Sequence, residues 1–519
     1  GVEVGGSLKA LAERYQVGVK GEEVVEAINK RRIDFAPSDL ARYGEYCRND
    51  VRLCYDIFNL MQPNFPMEEL KLIDMTLRMF THPQLYIDED TLNERLHNLQ
   101  EEKLELLGAL KDKLKCETEE EVRKKLSSNK QFAEVLTSFG ITVPMKFSEK
   151  QKEDVPALAK KDEGFIALTE HDDPFIQQLC AVRLGTKSTL EEKRIERFIG
   201  IGQRNKGAIP VPLKYYGAHT GRWSGTDKIN FQNLPSRDKK KKALKNAIVP
   251  PDGYVVMNSD SSQIEARMVA WLAGQDDVVE QFARGEDVYS LFASAVYGRT
   301  ITKADGEQRF VGKTCILGLG YGTGAAKLQH TLATAQPISV KIDLEESKRI
   351  VGVYRDKNDK IIELWGEADT MLSDMMNGSF ENGPKVFGKH NCVFYDAEGV
   401  ILPNGLRIRY PNLRRVEVDG KSQIVYDSRK GEVSIWGGTV VENVVQALAR
   451  IVVGEQMLKI NNVYRVVLTV HDAAVIVVPI DEKDQALEAV TGLMSVAPAW
   501  ATGLPVTSEA KAGASYGDC

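Results

Sequence analysis

Two aspartates stand where a folded chain can hold carboxylates rigidly. Asp260 closes the apolar run GYVVMNSD (253–260), and Asp472 sits between the two apolar halves of YRVVLTVHDAAVIVVPID (464–481). Carboxylates at strand ends project from a stiff frame into one site. Oxygen ligands of this kind suit Mg²⁺, which prefers octahedral geometry. Two such ions a few ångströms apart activate an attacking hydroxyl and stabilise a leaving phosphate. An Asp after a strand is most often a turn residue, however, so neither aspartate defines a site alone.

The segment RFVGKTCILGLGYG (309–322) adds a second kind of chemistry. Arg309, Lys313, Leu317 and Tyr321 recur every four residues, which places them on one face of a predicted helix. Two cations lie at one end of that face and an aromatic ring at the other. Lys313 and Tyr321 would be about 12 Å apart along the axis, at a rise of about 1.5 Å per residue. That span suits a nucleoside triphosphate, with phosphates on the cations and the base near the ring. The same pattern also fits an amphipathic helix with ordinary surface charges. The glycines around Tyr321 would let this helix end bend. GAHTGRWSGTDKINFQNLP (217–235) places Arg222, Gln232 and Asn233 in a glycine-rich polar stretch. Arg and amide side chains can reach minor-groove acceptors, which are similar for all base pairs. As a free-standing pattern it reads equally as a surface loop.

The elements that must position these residues read as an α+β protein. The chain has 519 residues, enough for several domains or subdomains, with an ordinary globular composition of 43% hydrophobic and 27% charged residues. Helical patterns fill residues 7–61, 68–135 and 174–200, and PNFPME (63–68) reads as a linker. A short strand at 253–260 is followed by an amphipathic helix, SQIEARMVAWLAG, closed by a glycine. Residues 275–390 again look helical. Strands return at 399–411 and 415–427, a long helix is predicted at 440–460, and 464–481 reads as a hairpin. The sheet is therefore expected to be assembled from segments far apart in sequence.

Bulk properties exclude some classes. No apolar stretch is long enough to span a membrane, and the N-terminal segment has no secretory pattern. The seven cysteines include no C-x-x-C pair, which argues against a disulfide framework or a zinc site. Net charge is −6, which is mildly unfavourable for a nucleic-acid partner, yet RDKKKKALK (237–245) concentrates positive charge. That run reads either as a solvated loop or as part of a basic surface.

Taken together and in order, the motifs resemble DNA polymerase family A, most of all its bacteriophage members. NSDSSQIEARMVAWLAG resembles motif A, Arg309-x3-Lys313-x7-Tyr321-Gly322 motif B, and LTVHDAAVIVV motif C. TGRWSG…NFQNLP resembles the primer-template segment. LPNGLRIRYP, GGTVVENVVQALAR and SEAKAGASYG resemble further segments, and SSNKQFAEVLTSFGI and RLGTKSTL resemble thumb elements. The resemblance spans about residues 68–519. It implies a right-hand fold with the thumb at 68–205, the palm at 206–275 plus 395–519, and the fingers at 276–394. It implies a template-directed DNA polymerase that adds dNTPs to a primer 3′-hydroxyl using two Mg²⁺ ions, for which Mn²⁺ could substitute.

The resemblance also implies residue roles. Asp260 and Asp472 would be catalytic metal ligands, joined by the Ser261 carbonyl. Arg309 and Lys313 would grip the triphosphate, with Lys313 catalytic, and Tyr321 would lie by the nascent base pair. Glu265 would be the steric gate that excludes a ribose 2′-hydroxyl, and Gln263 and Tyr289 would line the nucleotide site. Arg222 and His471 would touch the primer end, and Gln232, Asn233 and Gln446 the template-primer duplex. Four positions depart from the common pattern. Ser261 replaces an aromatic residue, Leu317 a ring that senses the sugar, Tyr289 a phosphate-contacting His, and Ala473 an accessory Glu.

Residues 1–62 form a separate part. Tyr46-x3-Asp50 resembles the last motif of the family's 3′–5′ exonuclease, and no upstream carboxylate motif accompanies it. These residues are read as the tail of an exonuclease domain, so no proofreading is expected of this chain. The expected partners are primer-template DNA and dNTPs, and the expected state is a cytoplasmic monomer with room for a processivity factor. Two rival readings remain at this stage. A single-subunit RNA polymerase shares similar Asp and Lys positions, and a catalytically dead scaffold would bind DNA without extending it.

Overall fold

The computed structural model describes residues 6–148, 151–160, 162–169, 171–187, 190–227, 229–235, 242–335, 338–378, 380–418, 420–429 and 431–519. Most of the lysine run at 237–242 lies outside them. The chain begins with short helical pieces and then helix α1 (Pro37–Met61), which starts on a proline whose missing N–H costs nothing at that position. The expected linker is short, because Pro66 already caps α2 (Met67–Thr81). Helix α3 (Glu89–Lys111) is opened by Asp88, whose carboxylate accepts the Thr91 N–H at 3.1 Å. With α4 (Pro174–Lys187) and shorter helices, the C-terminal part of α3 builds a separate core around Leu107, Phe132, Phe165 and Leu179. Arg183 is buried in that core and donates to Asn129 Oδ1 at 2.6 Å, so it braces the helices from inside. Helix α5 (Leu190–Arg204) returns towards the rest of the molecule.

Strand β1 (Tyr254–Ser261) follows, then α6 (Ile264–Ala273), closed by Gly274 at φ +73°. Next come α7 (Val288–Tyr297), α8 (Gly306–Leu319), α9 (Ala325–Thr334) and α10 (Asp359–Asn377). Helices α7, α8 and α9 share a core of Phe292, Val311, Cys315 and Leu328. Gly312 permits the close approach of α7 and α8, since a Cβ there would lie 2.2 Å from the Tyr289 carbonyl oxygen. The 25-residue α11 (Gly437–Asn461) leads into β2 (Val466–Val470) and β3 (Ala473–Pro479). The strands expected at 399–411 and 415–427 belong to two other sheets, and helix α12 (Lys483–Met494) and β4 (Ser508–Gly513) complete the elements around β1.

The four strands form one antiparallel sheet in the order β2-β3-β1-β4. Strand β1 is central, and its neighbours come from more than 200 residues further along the chain, as the sequence pattern requires. Apolar side chains of β1–β3 pack with α2, α5, α11 and α12 in the largest core. A second core joins α6, α10 and α11.

Candidate active site

The register of the central sheet brings the two aspartates together. Ala473 pairs with Asp260, so Asp472 lies one residue from the position directly across the strand. The Ser261 amide donates to the Asp472 carbonyl at 3.1 Å, which locks the end of β1 to the β2–β3 turn. That turn has only two residues, and His471 takes φ +54° within it. On the other edge of β1, Glu509 pairs with Asp260 and adds a third carboxylate to the neighbourhood.

Neither aspartate has a salt bridge among the described residues. Burial beneath the cleft, Asp472 and Glu509 together push the Asp260 carboxyl up to about 6. Burial raises Asp472 as well, against the pull of its own backbone N–H and of Arg222. Two carboxylates under this repulsion fit a divalent cation, which would neutralise both through oxygen ligands. No group of three or more His, Cys, Asp or Glu side chains able to hold a metal occurs among the described residues. Further ligands would therefore come from substrate phosphates, water and backbone oxygens.

The repulsion has a measurable consequence. The folded chain holds a proton on Asp260 more tightly than the unfolded chain, whose Asp titrates at 3.8. The stability this confers is fully present below 3.8 and is lost as pH rises through about 6. Asp260→Asn is therefore expected to raise the thermal midpoint of the metal-free protein at about pH 8 and to leave it nearly unchanged at about pH 3. Calorimetry in chelator tests this, and an equal gain at both pH values would remove the electrostatic explanation.

Arg222 lies close to Asp472 and is largely buried. Its guanidinium pairs with Glu265 on the first turn of α6. Burial lowers its pKa, and the nearby Asp472, Tyr321 and Glu442 offset that. One side chain thus connects the sheet, Glu265 and the end of α8. Gln446 on α11 accepts from Thr220 Oγ1 at 3.4 Å and donates to Glu442 Oε1 at 3.1 Å, which ties α11 to the segment bearing Arg222. Gln232 and Asn233 lie on a short 3-10 turn, and the Gln232 carbonyl contacts a His471 ring nitrogen at 3.1 Å.

Helix α8 borders a cavity of about 970 Å³ lined by Arg309, Lys313, Leu317 and Tyr321 among others. Lys313 has no ion-pair or hydrogen-bond partner among the described residues. Arg309 is already engaged: Asp287 accepts from its Nε at 2.6 Å and from its Nη2 at 3.2 Å. Its guanidinium lies 5.5 Å from the centre of the Tyr289 ring. Tyr289 is buried, and that burial pushes its hydroxyl up to about 12 despite the nearby Arg309 and a side-chain hydrogen bond with Gln263. Gln263 takes φ +56° at the start of α6. The expectation that Tyr321 lies within the helix needs correction. Regular helix stops at Leu319, and Tyr321 falls in the following turn, where Gly322 adopts φ +78°. Tyr321 still lines the cavity, and burial raises its hydroxyl pKa strongly.

The structure therefore brings together Asp260, Asp472, Arg222, Glu265 and Tyr321 as one group, and Arg309, Tyr289 and Gln263 as another beside it. Asp287, Glu442 and Glu509 were missed in the sequence. Asp287 shows no signal in a linear reading, but Glu509 lies within SEAKAGASYG and could have been placed by strand pairing.

Comparison with known proteins identifies the family. A family model described as DNA polymerase family A matches residues 93–370. The chain is similar to the DNA polymerase of Bacillus phage SP02, with 29% identity over 410 residues, covering 70% of this chain and 60% of the phage protein. DNA polymerase I of Mycobacterium tuberculosis is 34% identical over 182 residues, covering 35% of this chain and 19% of that protein. The chain thus spans under two thirds of the length of these relatives. A solved structure, the POL domain of Pol1 from M. smegmatis in complex with DNA primer-template and dNTP, matches with a TM-score of 0.64 and 19% identity. That match covers 99% of this chain and 80% of the other. The fold is that of the right-hand polymerases. Within that class, the chain belongs to DNA polymerase family A.

Proposed function

We propose that this chain extends a DNA primer by template-directed addition of dNTPs. The observation that supports this most directly is the position of Arg222, bonded to Glu265 and within electrostatic reach of Asp472 and Tyr321. Primer end, sugar gate, metal carboxylate and base-pair wall then share one cleft. The primer 3′-hydroxyl attacks the α-phosphorus of a paired dNTP, a new phosphodiester forms, and pyrophosphate leaves. Two Mg²⁺ ions, or Mn²⁺ in their place, would be held by Asp260, Asp472 and the Ser261 carbonyl and would supply hydroxyl activation and charge neutralisation.

The chain's own groups do the positioning. Lys313 is free to meet the triphosphate, and Arg309 joins it while Asp287 fixes its direction. Tyr289 and Gln263 line the phosphate side, and Leu317 and Tyr321 the base side. Arg222 and His471 contact the primer terminus, and Gln232, Asn233 and Gln446 the duplex. In this reading residues 68–205 are the thumb, 206–275 and 395–519 the palm, 276–394 the fingers, and 1–62 a piece of an exonuclease domain. In that last part, Lys20 pairs with Asp50 and bonds the Tyr46 hydroxyl. No described helix is long and apolar enough to cross a membrane. A monomer acting in the cytoplasm, where template and dNTPs are, fits the reading.

Primer extension with Mg²⁺ and dNTPs is the direct test, and tight primer-template binding without extension would favour a scaffold instead. The gate gives a second test. Glu265→Ala should raise rNTP incorporation relative to dNTP by on the order of 10²-fold, because space opens beneath the sugar. The ratio matters, since freeing Arg222 will alter DNA binding for both substrates alike. Glu265→Gln keeps the bulk and should keep the discrimination. An unchanged ratio in Glu265→Ala would remove Glu265 as the gate.

A further inference from the structure

Trp436 is 41% exposed, unusual for so large an apolar ring, and it lines the same cavity as Lys313 and Tyr321. It stands at the N-cap of α11. Its position is built rather than incidental. The benzo edge of the indole lies against two glycine backbones. A Cβ on Gly322 would come within 2.0 Å of it and one on Gly438 within 2.4 Å. Trp365 supports it edge-to-face at 5.8 Å and donates its own Nε1–H to the Gly320 carbonyl at 2.9 Å. The ring is thus fixed to the turn that ends α8, immediately beside Tyr321.

Charge says what such a ring can meet. The cations Arg309 and Lys313 lie towards the other end of α8, about 9 Å or more before Leu319 along the axis. An incoming triphosphate belongs there. The cavity wall near Tyr321 also includes Glu442, whose carboxylate disfavours a phosphate, and Lys327 of α9 lines the same cavity. A neutral aromatic group fits next to the indole, with its phosphate towards Lys327.

We propose that Trp436 is a stacking platform for an unpaired template base, the one entering the site next to the base pair under construction. This rests on the polymerase reading and adds a residue to it. Stacking on an aromatic ring accepts every base, as a template path must.

The test is equilibrium binding of labelled primer-templates without dNTP, comparing a 5′ template overhang with a blunt duplex. The parent should prefer the overhang, and Trp436→Leu should lose about tenfold on the overhang and little on the blunt duplex. Trp436→Phe should retain most of the preference. An abasic residue at the first unpaired template position should weaken the parent about as much and leave Trp436→Leu unaffected, the non-additivity expected of partners in contact. Equal losses on both DNAs, or an abasic effect that persists in Trp436→Leu, would overturn the proposal. If the leucine variant does not fold, Trp436→Phe and the abasic template still decide it, because an abasic template that binds the parent normally also overturns it. Overhang binding that depends on Trp436 without any primer extension would instead count against the polymerase reading alone.

Discussion

Replacing Asp472 by Asn should lower primer extension by on the order of 10³-fold or more and leave primer-template affinity within a few-fold. The substitution removes charge and almost nothing else. The backbone at 472 anchors the sheet through its carbonyl, which accepts from the Ser261 amide, and Asn retains that bond. The side chain's hydrogen bond from its own N–H is also available to an amide oxygen. What disappears is one of the two negative groups that would hold a divalent cation. Asp260→Asn should be equally inactive, since its carboxylate lies across the same strand pair. Single-turnover extension with Mg²⁺, set beside binding measured on the same DNA, separates the chemical step from DNA affinity. A variant retaining a tenth or more of parent activity would show that Asp472 is not a metal ligand, since each tenfold is only about 1.4 kcal/mol of barrier.

How much of this was legible beforehand depended on distance along the chain. Lys313 and Tyr321 stood in a local pattern whose spacing gave their geometry, Glu265 was reached only through the family resemblance, and the sheet was readable because Asp260 and Asp472 each bordered an apolar run. Tyr321 was placed a step too far into the helix, because spacing alone does not show that Gly320 and Gly322 end it. Arg309 was expected to grip a triphosphate, and its ion pair with Asp287, 22 residues earlier, had no signal in the local pattern. Trp436 gave no signal, since an aromatic before a helix is usually core, and only the backbones of Gly322 and Gly438 reveal why it is not. Leu317, a departure from the family pattern, is 40% exposed in the cavity, so no neighbour fills the place of the missing ring. The hardest residues to foresee were those whose partners lie at the far end of the chain.

Glu69 and Arg450 are the extreme case, 381 residues apart and both almost fully buried. Glu69 on α2 accepts from Arg450 Nη1 at 2.5 Å, from Asn404 Nδ2 at 2.7 Å and from the Tyr215 hydroxyl at 2.5 Å. Burial alone would raise Glu69, but Arg450, Tyr215 and Asn404 outweigh it and hold the carboxyl below its usual range. The Arg450 guanidinium lies 4.6 Å from the Trp223 ring centre, while its Nε and Nη2 find no hydrogen-bond partner among the described residues. Removing one partner leaves a buried charge uncompensated. Arg450→Met should therefore destabilise the chain by about 3–5 kcal/mol, and Glu69→Met by a similar amount. The double variant should be clearly more stable than the sum of the two losses, because two apolar side chains replace an imperfectly satisfied pair. Denaturant unfolding of all three variants measures the coupling, and strictly additive losses would mean that the two groups do not depend on each other. The pair also bears on function through its neighbours. Gln446 lies one turn before Arg450 on α11, and Arg222 is adjacent to Trp223, whose indole N–H bonds Thr76 on α2 at 2.9 Å. A double variant that regains stability yet binds primer-template more weakly than the parent would show that this buried pair holds the side chains proposed to contact DNA in place as well as holding the fold together.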